Sequence, residues 1–123
     1  PDSVVTHGFV FENGTNEYII RYNIDPLKSA EFPMALGSSY TDLIDGDAVL
    51  PTVGAVALSG SATISADGTG TMLLGSMTYN DVIRIKTVEN LAGTIPLVGA
   101  VSVTRTSYVY YSTSTSDMPI FIH

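Results

Sequence analysis

Apolar and polar residues alternate with a period of two along most of this chain, the spacing that places successive side chains on opposite faces of a strand. Val4 to Phe11 and Glu17 to Ile24 are two such runs around Glu12-Asn13-Gly14-Thr15-Asn16, a strong hairpin signal, and Tyr18, Ile20, Tyr22 and Ile24 share one face of the second. Asp25-Pro26 to Pro33 reads as a connection, with one helical turn over Leu27 to Glu31 that Pro33 ends. Met34 to Pro51 is the least regular stretch, punctuated by Gly37, Gly46 and Pro51, and is expected to be a loop wrapping one end of the fold.

Thr52 to Leu58 reads as a short edge strand. Ser61 to Ala66 is a run of small and β-branched residues that stops at Asp67-Gly68, a pair suited to the positive φ of a tight turn, and Thr71 to Leu74 is the expected returning strand. Gly75 and Asn80-Asp81 mark further reversals. Val82 to Val88 then alternates, with Ile83 and Ile85 on one face and Arg84 and Lys86 on the other. Pro96 to Tyr111 is expected to be one long strand, Ser112 to Ser116 an exposed loop, and Met118 to Ile122 the closing strand. About eight or nine strands at these spacings predict an all-β fold, an antiparallel β-sandwich or jelly-roll-like domain spanning residues 1–123 as one unit. No internal repeat stands out at this level.

Several pieces of the chain, in order, resemble a β-rich module that precedes the C-terminal sorting domain in proteins exported by the type IX secretion system of Bacteroidetes. Gly60, Ala62, Thr63, Ala66, Asp67, Gly68, Gly70 and Thr71 fit that family's G-x-A-T-x-x-A-D-G-x-G-T-L pattern. Thr78, Tyr79, Val82, Arg84, Lys86 and Thr87 fit its T-Y-x-N-V-L-R-x-K-T pattern. Glu31 to Gly46 is similar to its F-P-x-x-x-G-x-S-x-x-D stretch, and Tyr108 to Ile122 to its closing Y-x-W-Y and P-L-L-x-I element, with Tyr110 in place of Trp. The resemblance implies an extracellular or outer-surface location and a chain trimmed or processed from a longer protein. It implies no catalytic residues.

Composition narrows the classes. The absence of Cys removes disulfides, thiol nucleophiles and thiolate metal sites. With 12 Asp plus Glu against 5 Lys plus Arg, the formal net charge is -7, so nucleic acid is not expected as a partner, because phosphate binding needs clustered cations. Charged residues make up 14%, and Ser and Thr take their place on the outward positions, as suits an extracellular β-surface. No apolar run is long enough for a membrane-spanning helix, and the chain begins at Pro1 without a charged-then-apolar leader, as a mature or excised segment would.

Asp42, Asp45 and Asp47 place three carboxylates in one turn-rich segment and could supply oxygen ligands to calcium, the single cofactor candidate; a plain loop with Asx turns accounts for them as well. Tyr40, Tyr108 and Tyr110 are candidate sugar-stacking residues, against the alternative of core and rim packing. Arg84, Lys86 and Arg105 are expected outward or at an edge, as solvated cations that discourage edge pairing. His7 and His123 lack a neighbouring nucleophile motif, so an enzyme is not expected, although two carboxylates could serve a glycosidase without histidine. The expected role is a non-catalytic structural or adhesive module of an exported protein that associates with itself or with a surface glycan or protein, the alternative being a carbohydrate-binding module.

Overall fold

A computed structural model describes residues 3–113 and 115–123, the side chains of residues 115–118 excepted. The described residues form nine strands and no helix: β1 (Ser3–Thr6), β2 (Gly8–Asn13), β3 (Asn16–Asp25), β4 (Leu27–Glu31), β5 (Ser39–Leu50), β6 (Gly54–Leu74), β7 (Met77–Ile95), β8 (Gly99–Ser112) and β9 (Thr115–Ile122). Seven make one antiparallel sheet in the order β2-β3-β5-β6-β7-β8-β9, and β1 and β4 pair as a second, two-stranded sheet. The all-β, sandwich-like expectation holds.

The two layers are made by one bent ribbon. β1 and β2 are nearly continuous, as are β3 and β4, and the ribbon leaves the large sheet between the Gly8–Arg21 and Thr6–Leu27 pairs, where His7 faces the longer stretch Tyr22 to Pro26. The Tyr22 amide donates to the His7 carbonyl at 2.8 Å and holds the bend. Pro26, which has no N–H to give a ladder, sits where β3 hands over to β4. The helical turn expected over Leu27 to Glu31 is therefore strand β4. A register shift opposite Val4 and Val5 leaves Ser29 as an extra residue and changes the phase of the pleat, so Leu27 and Ala30, three apart, are both buried; burial in the second layer outweighs the local helical preference of Leu-Lys-Ser-Ala-Glu.

The large sheet coils until its ends meet. Phe9 on β2 lies over the Arg105 guanidinium of β8, with Cζ 4.3 Å from the ring centroid, although four strands separate β2 from β8 in the sheet order. Glycines allow the coiling at two central places: a Cβ at Gly46 would overlap the Arg21 carbonyl, and one at Gly60 the Asn90 carbonyl, so neighbouring backbones close in where only glycine fits. The concave face is filled by Ile20 and Tyr22 of β3, Ile44 and Ala48 of β5, Leu58, Ala62, Ile64 and Ala66 of β6, Ile83, Ile85 and Leu91 of β7 and Tyr111 of β8, with Leu27 joining from β4. Phe32, just after β4, meets Tyr111 edge-on at 5.1 Å.

Four boundaries differ from the sequence expectation. Residues 39–50 form a strand at the heart of the sheet where a loop was expected; the alternation of Tyr40, Ile44 and Ala48 is diluted by Asp and Gly, but pairing with β6 along its whole length satisfies its backbone. Asp67-Gly68 does not turn the chain. β6 runs on through register shifts between Ala66 and Gly68 and between Gly70 and Met72, and the reversal comes at Gly75. Pro96 begins a turn and not a strand, and the expected edge strand at Thr52 to Leu58 is the start of central β6. Of the expected Ser112–Ser116 loop, Ser112 ends β8 and Thr113 is a turn residue, while Ser114 lies outside the described residues.

Candidate functional site

The convex face of the large sheet carries the candidate site. Cross-strand register aligns Gly68, Arg84, Tyr110 and Phe121 in one row over β6, β7, β8 and β9, and Ser65, Lys86 and Tyr108 in the next. Period-two alternation sends Arg84, Tyr108 and Tyr110 outward while Ile83, Ile85 and Tyr111 go to the core. The extra residue at the β6 bulge is Asp67, and the bulge re-aims its carboxylate onto Arg84: Nε donates to Oδ1 at 2.8 Å and Nη2 to Oδ2 at 3.2 Å. The guanidinium also lies 5.1 Å from the Tyr108 ring centroid. Hydrogen bonding from Asp67 and Tyr110 holds Arg84 more firmly protonated than a free arginine, so this cation stays charged at any physiological pH.

Beside this clasp the surface dips. Gly68, Thr69, Gly70, Thr71 and Met72 of β6 form one side of a groove of about 260 Å³, with Val82, Arg84 and Tyr110 on the other. It continues as a second hollow of about 370 Å³ toward Asp81 and Thr113. The hollow exists because Gly70 contributes no side chain, and a Cβ there would meet open space. Tyr110 is the aromatic ring that lines the groove; Phe121 lies 5.8 Å from it, and Tyr108 and His123 pair at 6.4 Å in the next row of the same face. Hydroxyls, one carboxylate–guanidinium pair and flat ring faces are thus gathered on one face.

Sequence-predicted residues are divided by the pleat. Tyr108 and Tyr110 belong to this face. Tyr40 points to the opposite, concave face, where its hydroxyl donates to the Lys28 carbonyl at 2.8 Å and burial pushes its ionisation well above the ordinary tyrosine range. Asp42 shares that inner face and accepts the Lys28 amide at 2.6 Å, tying β5 to β4. Asp45 and Asp47 alternate to the outer face of β5, where Asp47 takes Arg21 in a two-pronged pair at 2.6 and 2.8 Å and lies below its usual carboxylate range because of that bond. The three aspartates expected as a calcium cluster therefore stand on one straight strand with Asp42 on the far side, and among the described residues no group of three or more His, Asp or Glu side chains is placed to hold a metal ion.

Arg105 corrects the expectation of an outward cation. It sits on the concave face directly opposite Glu89, which is fully buried, with Arg105 Nε 3.2 Å from Glu89 Oε2. The Tyr22 hydroxyl donates to Glu89 Oε1 at 2.6 Å, and desolvation together with that acceptor raises the Tyr22 ionisation far above normal. A signal for this network was present in the alternation, since Glu89 shares its parity with Ile83, Ile85 and Leu91, and Arg105 shares its parity with Val101 and Val103.

Comparison with protein-family models, with curated proteins and with solved structures finds no match to this chain. Among the described residues no helix is long and apolar enough to cross a membrane.

Proposed function

We propose that the chain is a non-catalytic adhesive module of an exported or cell-surface protein and that its groove on the convex face holds a carbohydrate. The observation that carries this reading is the groove itself: a glycine floor, the Tyr110 ring as a wall, and the Arg84–Asp67 pair at one end. Sugar rings present C–H groups on their faces and hydroxyls around their edges. An aromatic face takes the first, and a paired carboxylate and guanidinium offer both acceptor and donor to the second. Because Arg84 is already matched by Asp67, the site favours neutral sugars over uronic acids, whose carboxylate would compete with Asp67.

The exported location rests on the resemblance noted above and on a surface rich in Ser and Thr with few charges. Retention on arrays of neutral polysaccharides, followed by titration calorimetry, tests the proposal. Tyr110→Ala is expected to weaken binding at least about tenfold, a loss of about 1.4 kcal/mol. Silence of the unaltered protein across neutral and acidic glycans at millimolar concentration would remove the reading.

A further inference from the structure

The groove on the convex face extends well beyond the Arg84–Asp67 pair, and its far half has a chemistry of its own. The two hollows, of about 260 and 370 Å³, share Thr69, Gly70, Thr71 and Val82 and so form one trough. Arg84 and Tyr110 border the first hollow, Asp81 and Thr113 the second. Arg84 and Asp81 are three residues apart on β7, as are Tyr110 on β8 and Thr113 just after it, roughly 10 Å at about 3.3 Å per residue. That span is longer than one pyranose ring.

The second hollow opens where the β6–β7 ladder is interrupted. Pairing passes from Gly70–Val82 to Met72–Tyr79, so Thr71 on β6 faces two residues, Asn80 and Asp81, on β7. Asp81 takes up the excess with a left-handed φ of 56°, a conformation that aspartate enters more readily than most side chains. Its carbonyl accepts the Thr113 amide at 2.9 Å, which anchors the residue to the end of β8. Arg21, Lys28, Arg84 and Arg105 pair with Asp47, Glu31, Asp67 and Glu89, and among the described residues no ion pair engages Asp81. The two ends of the trough therefore differ. One holds a carboxylate matched by a guanidinium; the other holds a carboxylate without a cation, with Thr69, Thr71 and Thr113 around it.

We propose that the groove takes a linear neutral glycan across two subsites, one sugar on Tyr110 beside the Arg84–Asp67 pair and the next against Asp81, and that Asp81 selects the second sugar. This rests on the carbohydrate reading of the groove and adds to it a minimum length and a charge rule. A carboxylate without a cation accepts hydrogen bonds from neighbouring hydroxyls of a neutral sugar and repels the carboxylate of a uronic acid.

Titration calorimetry of the full chain with gluco-, manno- and galacto-oligosaccharides of one, two and four units tests it, with thermal melting of each variant to confirm the fold. For the series that binds, the disaccharide should bind at least about tenfold more tightly than the monosaccharide, and the tetrasaccharide no more than about threefold more tightly than the disaccharide. Asp81→Gly places glycine at a left-handed φ that suits it, so the fold is kept; disaccharide affinity should fall at least about tenfold, as loss of hydrogen bonds to a charged acceptor would cause, with monosaccharide affinity unchanged. Asp81→Asn should keep most of the disaccharide affinity and bind an aldobiouronic acid at least about fivefold more tightly than the unaltered protein does. Silence of all these sugars at millimolar concentration would remove the carbohydrate reading and the two subsites with it. Binding that is lost in Tyr110→Ala yet indifferent to chain length, or a disaccharide affinity indifferent to Asp81→Gly, would overturn the two subsites alone. So would an aldobiouronic acid bound by the unaltered protein as tightly as the neutral disaccharide.

Discussion

Glu89 and Arg105 face each other across β7 and β8 on the concave side of the sheet, with Glu89 buried and Arg105 flattened beneath the Phe9 ring. The pair joins the middle of the sheet to its far edge, since Glu89 also receives the Tyr22 hydroxyl from β3 and Phe9 comes from β2. A buried charge is tolerable only with such partners. Glu89→Gln removes the counter-charge, and because Arg105 keeps partial access to water the expected loss is about 3 kcal/mol, the lower end of the range for breaking buried pairs. Urea unfolding measures it. Replacing both residues by Leu and Met should recover much of the loss; a double variant as weak as the sum of the singles would show that the two residues do not act as a pair.

Tyr22, Tyr40 and Tyr111 all ionise above the ordinary tyrosine range, in each case chiefly because burial disfavours the phenolate. The folded state thus holds these protons more tightly than the unfolded state does. Their contribution to stability is complete below the unfolded tyrosine value of about 10 and falls as pH rises beyond it. Urea midpoints should be flat with respect to these groups below pH 9 and decline steeply above pH 10, and Tyr22→Phe should make that decline shallower. An unchanged slope in Tyr22→Phe would count against the assignment.

Gly60 and Gly70 lie on the same strand and should respond oppositely to alanine. A Cβ at Gly60 runs into the Asn90 carbonyl, which belongs to the β6–β7 ladder and cannot move without breaking it. Gly60→Ala is expected to cost about 3 kcal/mol, at the upper end of overpacking penalties. Gly70→Ala enters open groove and should alter stability by no more than about 0.5 kcal/mol. Gly70→Leu should fold as well but fill the groove and abolish glycan retention; binding that survives it would place the sugar elsewhere.

Thr52 offers a stabilising change. Its φ of 65° suits glycine, so Thr52→Gly relieves backbone strain and is expected to raise stability by about 0.5–1 kcal/mol after glycine's added chain entropy is subtracted. Differential scanning calorimetry would register a higher melting temperature. A lower one would mean that the Thr52 side chain makes contacts worth more than the strain.

Alternation alone made the outward direction of Arg84 readable, because it lies on a long strand whose apolar residues Ile83 and Ile85 reveal the phase. Alternation failed where the inner positions are not apolar. Asp42 and Gly46 hide the core face of β5, and Glu89 and Arg105 look like surface residues until each is seen opposite the other. Asp67-Gly68 carries the letters of a turn, yet pairing with β7 keeps the ladder running past it, and the extra residue becomes a bulge that aims Asp67 at Arg84.

The all-β class, the outward face of Arg84 and the first hairpin followed from the sequence by itself, because period-two burial and glycine-marked turns are local properties of the chain. Tertiary structure decided which residues share a site: the coiling that brings Phe9 to Arg105, the separation of Asp42 from Asp45 and Asp47, and the meeting of Asp67, Arg84 and Tyr110. Those relations depend on strand register and sheet curvature, which arise from backbone pairing between residues far apart in sequence and are written in no single segment.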